Sequence, residues 1–378
     1  MRVLILAKPS KLNSRSMRSV IRLIKLKVGE INTPIIKSMA SDIRVGIIGA
    51  GSNTTAKHIP LFKAIDGVEI VGVVNRSKES SINVARSFDV PKIYDKWEDA
   101  ITDPETNAIV VGTWPYLHCP VTLAALESGK HVLTEARMAM NADEALQMFN
   151  ASQANPRLVT QVVPSPITLF ADAAIKRLIS EGYLGRLLVV ESRIRGQFLD
   201  SEASLHWRQN IDYSGNNIMA MGIYYEALVR SVSRATKVIA QAKTFTKHRR
   251  SENGTLQLVN IPEHLDLVAD LECGAQMHLQ QSSVTSFMDD DAIYLFGSHG
   301  TLKITSDRLF GATKDANELK EIQIEKCERG EWQVEEDFVA AIRGERKITH
   351  TTFSDGLHYM QFTDAVNRSL TSGRLELI

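Results

Sequence analysis

The chain has 378 residues, 44% of them hydrophobic, which is enough apolar material for more than one packed domain. Lys+Arg and Asp+Glu both number 44, so the formal net charge is zero, and the balance argues against nucleic acid as a partner. Cys119, Cys273 and Cys327 are far apart and form neither a CxxC pair nor a metal-ligand cluster. That pattern fits a reducing, cytoplasmic setting without a resident metal. No apolar run reaches the roughly 18 residues of a membrane span.

The first 40 residues differ from the rest, with nine cations from Arg2 to Lys37 against the single acid Glu30. VIRLIKLKV (20–28) is basic and amphipathic if helical. Two readings stay open: a transit peptide or surface anchor, or sequence upstream of a start at Met39. The second is favoured, because the fold signal begins only at Ile43. No secretory apolar region is present, so export is not expected.

From Ile43 short apolar runs alternate with helical patterns. IRVGIIG (43–49) reads as a buried strand, AKHIPLFKAI (56–65) as a helix and VEIVGVV (68–74) as a second strand. Ser77 is placed to cap a helix running to Phe88. NAIVVGT (107–113), KHVLTE (130–135) and RLVTQVV (157–163) supply three more strands, with a helix over 120–127 between the first two. Asn141 and Glu144 resemble a capping box opening a further helix. This rhythm predicts βαβ units and a parallel sheet over 41–163. After Pro164 it changes: a helix over 167–181 precedes strands at 187–195, 237–245, 265–272, 275–283 and 292–298. Several of these alternate polar and apolar residues, as an antiparallel sheet with one covered face requires. Helices over 332–344 and 355–371 close a second domain, 164–378. Asp289-Asp290-Asp291 reads as a turn.

GIIGAGSNTTAKH (46–58) joins the first strand to the first helix. Gly49 and Gly51 fit the first two glycines of G-x-G-x-x-G, while Thr54 stands at the third. Such a loop, with Ser52, Asn53 and Thr54 opening the helix, would bring free N–H groups to a pyrophosphate. The second strand ends at Asn75-Arg76-Ser77, where an acid would hold ribose hydroxyls and repel a 2′-phosphate. With Asn75 and Arg76 there instead, either NAD or NADP is admitted, NADP slightly favoured.

On GIIGAG, on GTWPYLHCPVTLAALESGKHVLTE (112–135), on SGNNIMAMGIYYEAL (214–228) and on DGLHYMQFTDAVNRSLTSGR (355–374), the chain resembles the Gfo/Idh/MocA oxidoreductases from Ile43 onward. The resemblance implies an α/β architecture: an N-terminal Rossmann dinucleotide-binding domain and a C-terminal α/β domain with a large, mostly antiparallel open sheet. It also implies a nicotinamide cofactor, a sugar, cyclitol or related polyol substrate, and assembly as a homodimer or homotetramer. Thr113, Trp114, His118 and Glu135 fall where the family shapes its cofactor pocket.

The departures are specific. The family's Glu-Lys-Pro reads Glu135-Ala136-Arg137, and its Asp and catalytic His, four residues apart, read Ala220 and Tyr224. Arginine stays protonated, so Arg137 suits oxyanion binding or tuning of a neighbour, not proton transfer. Tyr224 becomes the expected acid/base, with its pKa lowered by a nearby cation, and Arg137 its partner. His206, Arg208 and Tyr225 join Arg137 as expected substrate contacts. The expected function is an NAD(P)-dependent oxidoreductase acting on CH–OH groups with a rearranged site. The alternative is a non-catalytic NAD(P)-binding sensor of the same fold.

Overall fold

The computed structural model of the chain describes residues 43–287 and 291–378. The basic segment 1–40, with both of its readings, and Asp289-Asp290 lie outside the described residues.

Strand β1 (Ile43–Ile48) is buried along nearly all its length and pairs in parallel with β2 (Val68–Val74) and β4 (Ala108–Val111). With β3 (Lys92–Ile93), β5 (His131–Thr134) and β6 (Thr160–Val162) they form a six-stranded parallel sheet ordered β3-β2-β1-β4-β5-β6. Continuous apolar runs such as AIVV in β4 suit a sheet covered on both faces. The cover comes from α1 (Ile59–Ala64), α2 (Lys78–Ser87), α3 (Trp97–Thr102), α4 (His118–Glu127) and α5 (Ala142–Ala154). A wide π turn, Thr54–His58, leads into α1. The strand order reverses between β1 and β4, which is where sheets of this kind open a ligand crevice. Ser77 caps α2 by accepting from the Ser80 amide at 3.2 Å, and Asn141 caps α5 by accepting from the Glu144 amide at 2.9 Å. The capping box is half complete: the Glu144 carboxylate accepts from the Met140 amide, one residue before the N-cap.

The second sheet is built from β7 (Leu187–Ile194), β8 (Ala235–Lys243), β11 (His264–Leu271), β12 (Gln276–Ser282), β13 (Ala292–Gly297), β14 (Gly300–Ile304) and β15 (Leu309–Thr313), with short edges β16 (Lys320–Glu321) and β17 (Glu376–Leu377). Its order is β16-β15-β14-β13-β7-β12-β11-β8-β17, and only the β7–β12 pair is parallel. In β11, Leu265, Leu267, Ala269 and Leu271 are buried while the residues between them are not, the period-two signature of one covered face. That face packs under α6 (Asp172–Ser180), α8 (Met221–Ser231) and the long α10 (Phe353–Ser372), whose Thr352–Asp355 capping box is complete. A helical turn, α7 (Ile211–Ser214), and a hairpin of β9 (His248–Arg250) and β10 (Leu256–Leu258) stand outside the sheet.

The first sheet's strands end before Val163-Pro164 and the second sheet's begin after it, while α9 (Val334–Ile342) lies C-terminal to that point. Its Val334, Phe338 and Val339 pack in the core of the first sheet, with Phe338 edge-on to Phe62 at 6.3 Å. Chain order puts α9 in the second domain, whereas its apolar face is buried in the first.

Candidate functional site

The nucleotide loop rests on backbone contact closer than any side chain permits. Gly49 has φ +86°, and a β-carbon there would lie 2.6 Å from the Thr113 amide nitrogen. Thr54, at the expected third-glycine position, is buried, and its hydroxyl donates to the Gly49 carbonyl at 3.3 Å. Beside this turn opens a cleft of about 570 Å³ lined by Gly49, Gly51, Asn75, Arg76, Thr113 and Trp114, among others. Ser52, Asn53 and Thr54 lie at the helix start, where first-turn N–H groups have no intrahelical acceptor. The Asn75 side chain is committed to protein contacts: Oδ1 accepts from the Ala50 amide at 2.6 Å and Nδ2 donates to Ser80 Oγ at 2.9 Å. It holds the loop instead of reaching outward. The Arg76 guanidinium lies over the Trp114 ring at 4.8 Å and pairs loosely with Glu252, with both ends solvated.

Below the cleft, Asn53 Nδ2 donates to Glu135 Oε1 at 2.5 Å, and His58 Nε2 meets the same oxygen at 3.0 Å. His58 Nδ1 bonds Glu335 of α9, which also accepts from Trp332 Nε1 at 2.9 Å. His58 and Glu335 are fully buried. Burial alone would push the His58 pKa down, but hydrogen bonds and charge from the two carboxylates outweigh it and raise it to about 9. Glu135 moves down from its ordinary range, because His58 and Asn53 overcome its desolvation. His118 is different. Its ring nitrogens face the Thr113 and Arg137 carbonyls, each at 2.9 Å, and burial drives its pKa down. A neutral ring donates to one of these and braces the turn against the Arg137 backbone.

A second cavity, about 450 Å³, is lined by Arg137, His206, Arg208, Met219, Ala220 and Ile223, among others. Arg137 is only 2% exposed, and its Nε has no acceptor. Burial, and then the charge of Arg208, lower its pKa to about 10, so it is cationic at neutral pH. Arg208 lies over the Trp207 ring at 4.2 Å, and Trp207 stacks on Trp114 at 5.5 Å and 15°. Tyr213 packs on Trp114 at 5.0 Å. An aromatic wall therefore links the nucleotide cleft to the arginine cavity. His206 Nδ1 accepts from the Arg208 amide at 3.2 Å, which leaves the proton of its neutral ring on Nε2.

Two expectations are corrected. Tyr225 is fully buried, stacked on Phe362 at 3.7 Å; its hydroxyl accepts from the Ala235 amide at 2.9 Å and meets His358 Nε2 at 2.9 Å. It is a core residue, not a substrate contact. Tyr224 packs at the edge of the same core, and Ile223 instead lines the arginine cavity. The Tyr224 pKa is pushed up to about 12 by burial and by Asp291, opposite to the expected direction.

Ala136 and Ala220 leave no side-chain acid or base at their places, and among the described residues no lysine lines the arginine cavity. Sequence reasoning missed His58, Glu335, Trp207 and Tyr213. His58 sat in plain view within the loop-helix motif, but its partner comes from a helix 277 residues away.

Fold, glycine turn and crevice define a Rossmann-type dinucleotide-binding class of protein. The oxidoreductase family model with an NAD-binding Rossmann fold matches residues 43–162, and the Gfo/Idh/MocA C-terminal domain matches 173–303. The chain belongs to the Gfo/Idh/MocA family. It is 24% identical over 373 residues to the Homo sapiens glucose-fructose oxidoreductase domain-containing protein 2, covering 88% of this chain and 93% of that one. Its fold matches levoglucosan dehydrogenase in complex with NADH and levoglucosan (TM-score 0.78, 20% identity, 89% and 99% coverage). It also matches the WlbA dehydrogenase of Bordetella pertussis in complex with NADH and UDP-GlcNAcA (TM-score 0.74, 18% identity, 89% and 99% coverage).

Proposed function

We propose that the protein is an NAD(P)-dependent oxidoreductase acting on a CH–OH group of a sugar, cyclitol or related polyol. The observation that carries this reading is the pairing of a glycine-built nucleotide cleft with a separate polar cavity, joined through the Trp114–Trp207 stack. The cleft fits a dinucleotide: a β-carbon on Gly51 would meet only the Gly112 carbonyl at 3.6 Å, so the backbone is open to close approach by a pyrophosphate. A bound nicotinamide would supply hydride acceptance or donation at a carbinol carbon, with the hydroxyl proton passing to or from water in the polar cavity. Arg76, with no carboxylate at Asn75, leaves a 2′-phosphate unrepelled, so NADP is admitted with NAD and slightly favoured. Glu135, held by His58 and Asn53, presents its carboxylate beneath the cleft. Arg137 and Arg208 give the cavity a positive charge, which suits negative charge carried by the substrate. Tyr224 has no proton-transfer role in this reading.

The levoglucosan and UDP-GlcNAcA bound by the structural neighbours support a sugar-like substrate. The outward face of the second sheet, with Val189 and Ile239 exposed and Tyr294 stacked on Phe296, suits a homodimer or homotetramer, to be checked by sedimentation velocity. The first test of function is fluorescence titration with NADH and NADPH, followed by turnover on a polyol and sugar panel. Failure to bind either nucleotide would sink the reading.

A second reading has one observation in its favour: Ala136, Ala220 and Tyr224 replace the family's acid/base groups. A cofactor-binding sensor would bind NADH tightly and oxidise nothing in the panel.

A further inference from the structure

The arginine cavity holds more positive charge than its walls neutralise. The Arg137 guanidinium is buried, and no described residue hydrogen-bonds or ion-pairs with it. Arg208 likewise has no carboxylate within ion-pair reach among the described residues, and the two cations repel each other across the cavity. Burying a cation without a partner is costly, so a fold that keeps two of them together leaves room for a ligand that balances them.

The neighbouring carboxylates are already occupied. Glu263, which lines the cavity, accepts from Arg249 at 3.0 Å and from the Phe245 and Thr246 amides at 2.8 and 2.9 Å. Glu135, the carboxylate whose field reaches Arg208, is bonded to His58 and Asn53. A second, open groove of about 720 Å³ shares His206, Gln209, Met219, Ala220, Glu263 and Ser283 with the cavity. The buried side-chain atoms left without partners on residues lining the two spaces are Arg137 Nε, Arg249 Nε and Gln281 Nε2. All three are donors. These buried groups lack acceptors, as those of a pocket built for an oxyanion would.

We propose that the substrate is an anionic sugar or polyol, whose oxyanion sits between Arg137 and Arg208. The inference rests on the oxidoreductase reading for the word substrate, but the anion site stands on the cavity alone. A carboxylate and a phosphate ester present the same oxyanion chemistry to a guanidinium fork. The volume suits a monosaccharide.

The test is isothermal titration of the full chain, with and without saturating NADH, using D-glucuronate, glucose 6-phosphate and D-glucose as probes at low salt. One or both anions should bind at least ~10-fold more tightly than glucose, as expected of a charge-assisted bidentate contact. The stronger of the two identifies carboxylate or phosphate as the source. Arg208→Gln should bring that ratio close to one while NADH affinity stays unchanged. Arg137→Met should do the same where its thermal melt shows it folded, and Arg208→Gln decides the matter if it is not. Equal affinity for all three probes, or a preference that survives Arg208→Gln, overturns the anion site. Glucose turnover without anion preference would defeat this inference and leave the oxidoreductase reading standing. Anion binding by a chain that binds neither NADH nor NADPH would do the reverse.

Discussion

The nucleotide cleft and the arginine cavity solve different physical problems. The cleft is made of backbone: Gly49 and Gly112 approach so closely that a β-carbon on Gly112 would lie 2.1 Å from the Gly49 carbonyl oxygen. Its side chains, such as Asn75 and Ser77, are spent holding the loop and capping α2. The arginine cavity is made of side chains drawn from five separate stretches of the chain, and neither of its arginines has a carboxylate partner among the described residues. A cleft of the first kind tolerates change in its side chains and almost none in its glycines. A cavity of the second kind can be rebuilt by substitution while the framework stays, which is how Ala136 and Arg137 can stand in an otherwise intact family fold.

That contrast can be broken most forcefully at Gly49. Gly49→Val places a branched side chain at φ +86° against the Thr113 backbone. It should abolish NADH binding and lower stability by more than ~2 kcal/mol, read by fluorescence titration and urea unfolding. If NADH affinity survives, the cleft is not the nucleotide site.

Next comes the His58 assembly, which is tied to the nucleotide loop through Asn53 and Glu135. His58→Leu leaves the buried Glu335 and the part-buried Glu135 without their shared cation and should cost about 3–5 kcal/mol. The wild type carries a pH signature of the same contact. Its folded pKa of about 9 lies above the unfolded value near 6.5, so the stabilisation is full below pH 6.5 and lost as pH rises through 9. Unfolding free energy should therefore fall between pH 6.5 and 9, by on the order of 3 kcal/mol. His58→Asn should flatten that slope; an unchanged slope would assign it to other groups.

The two adjacent tyrosines sharpen the comparison inside one helix. Tyr225→Phe removes a hydroxyl that serves the Ala235 amide and His358, and should cost about 1–2 kcal/mol in urea unfolding without altering cofactor affinity. Tyr224→Phe should leave turnover within a few-fold of wild type. A hundredfold loss in kcat would restore Tyr224 as the acid/base.

The smallest effect is expected at the cleft's rim. Arg76→Ala removes a solvated guanidinium over Trp114 and should weaken nucleotide binding by about 0.5–1 kcal/mol. A larger loss for NADPH than for NADH would place the 2′-phosphate beside it.

Most strands were readable from the chain, because a parallel strand covered on both faces must be a continuous apolar run and a half-covered one must alternate. The short β3, β16 and β17 and the β9–β10 hairpin were not, since two or three residues carry no period, and the five-residue β14 and β15 also go unread. Helix α3 opens at Lys96 without a Ser, Thr, Asp or Asn cap to announce it. The nucleotide loop could be placed because its requirement is local: glycines at fixed spacing between a strand and a helix. Arg137, His206 and Arg208 could be nominated from their positions, and the structure brings them to one cavity.

What could not be read was everything set by distance in the chain. Tyr224 and Tyr225 are neighbours in sequence, and only helix packing puts Tyr225 in the core against Phe362 and Tyr224 beside Asp291. Glu335 becomes the partner of His58 because α9 returns to the first sheet. Local spacing determines strands, caps and glycine turns, since those are contacts between residues a few positions apart. Burial, charge pairing and protonation depend on what the rest of the chain places nearby, and the tertiary fold alone settles that.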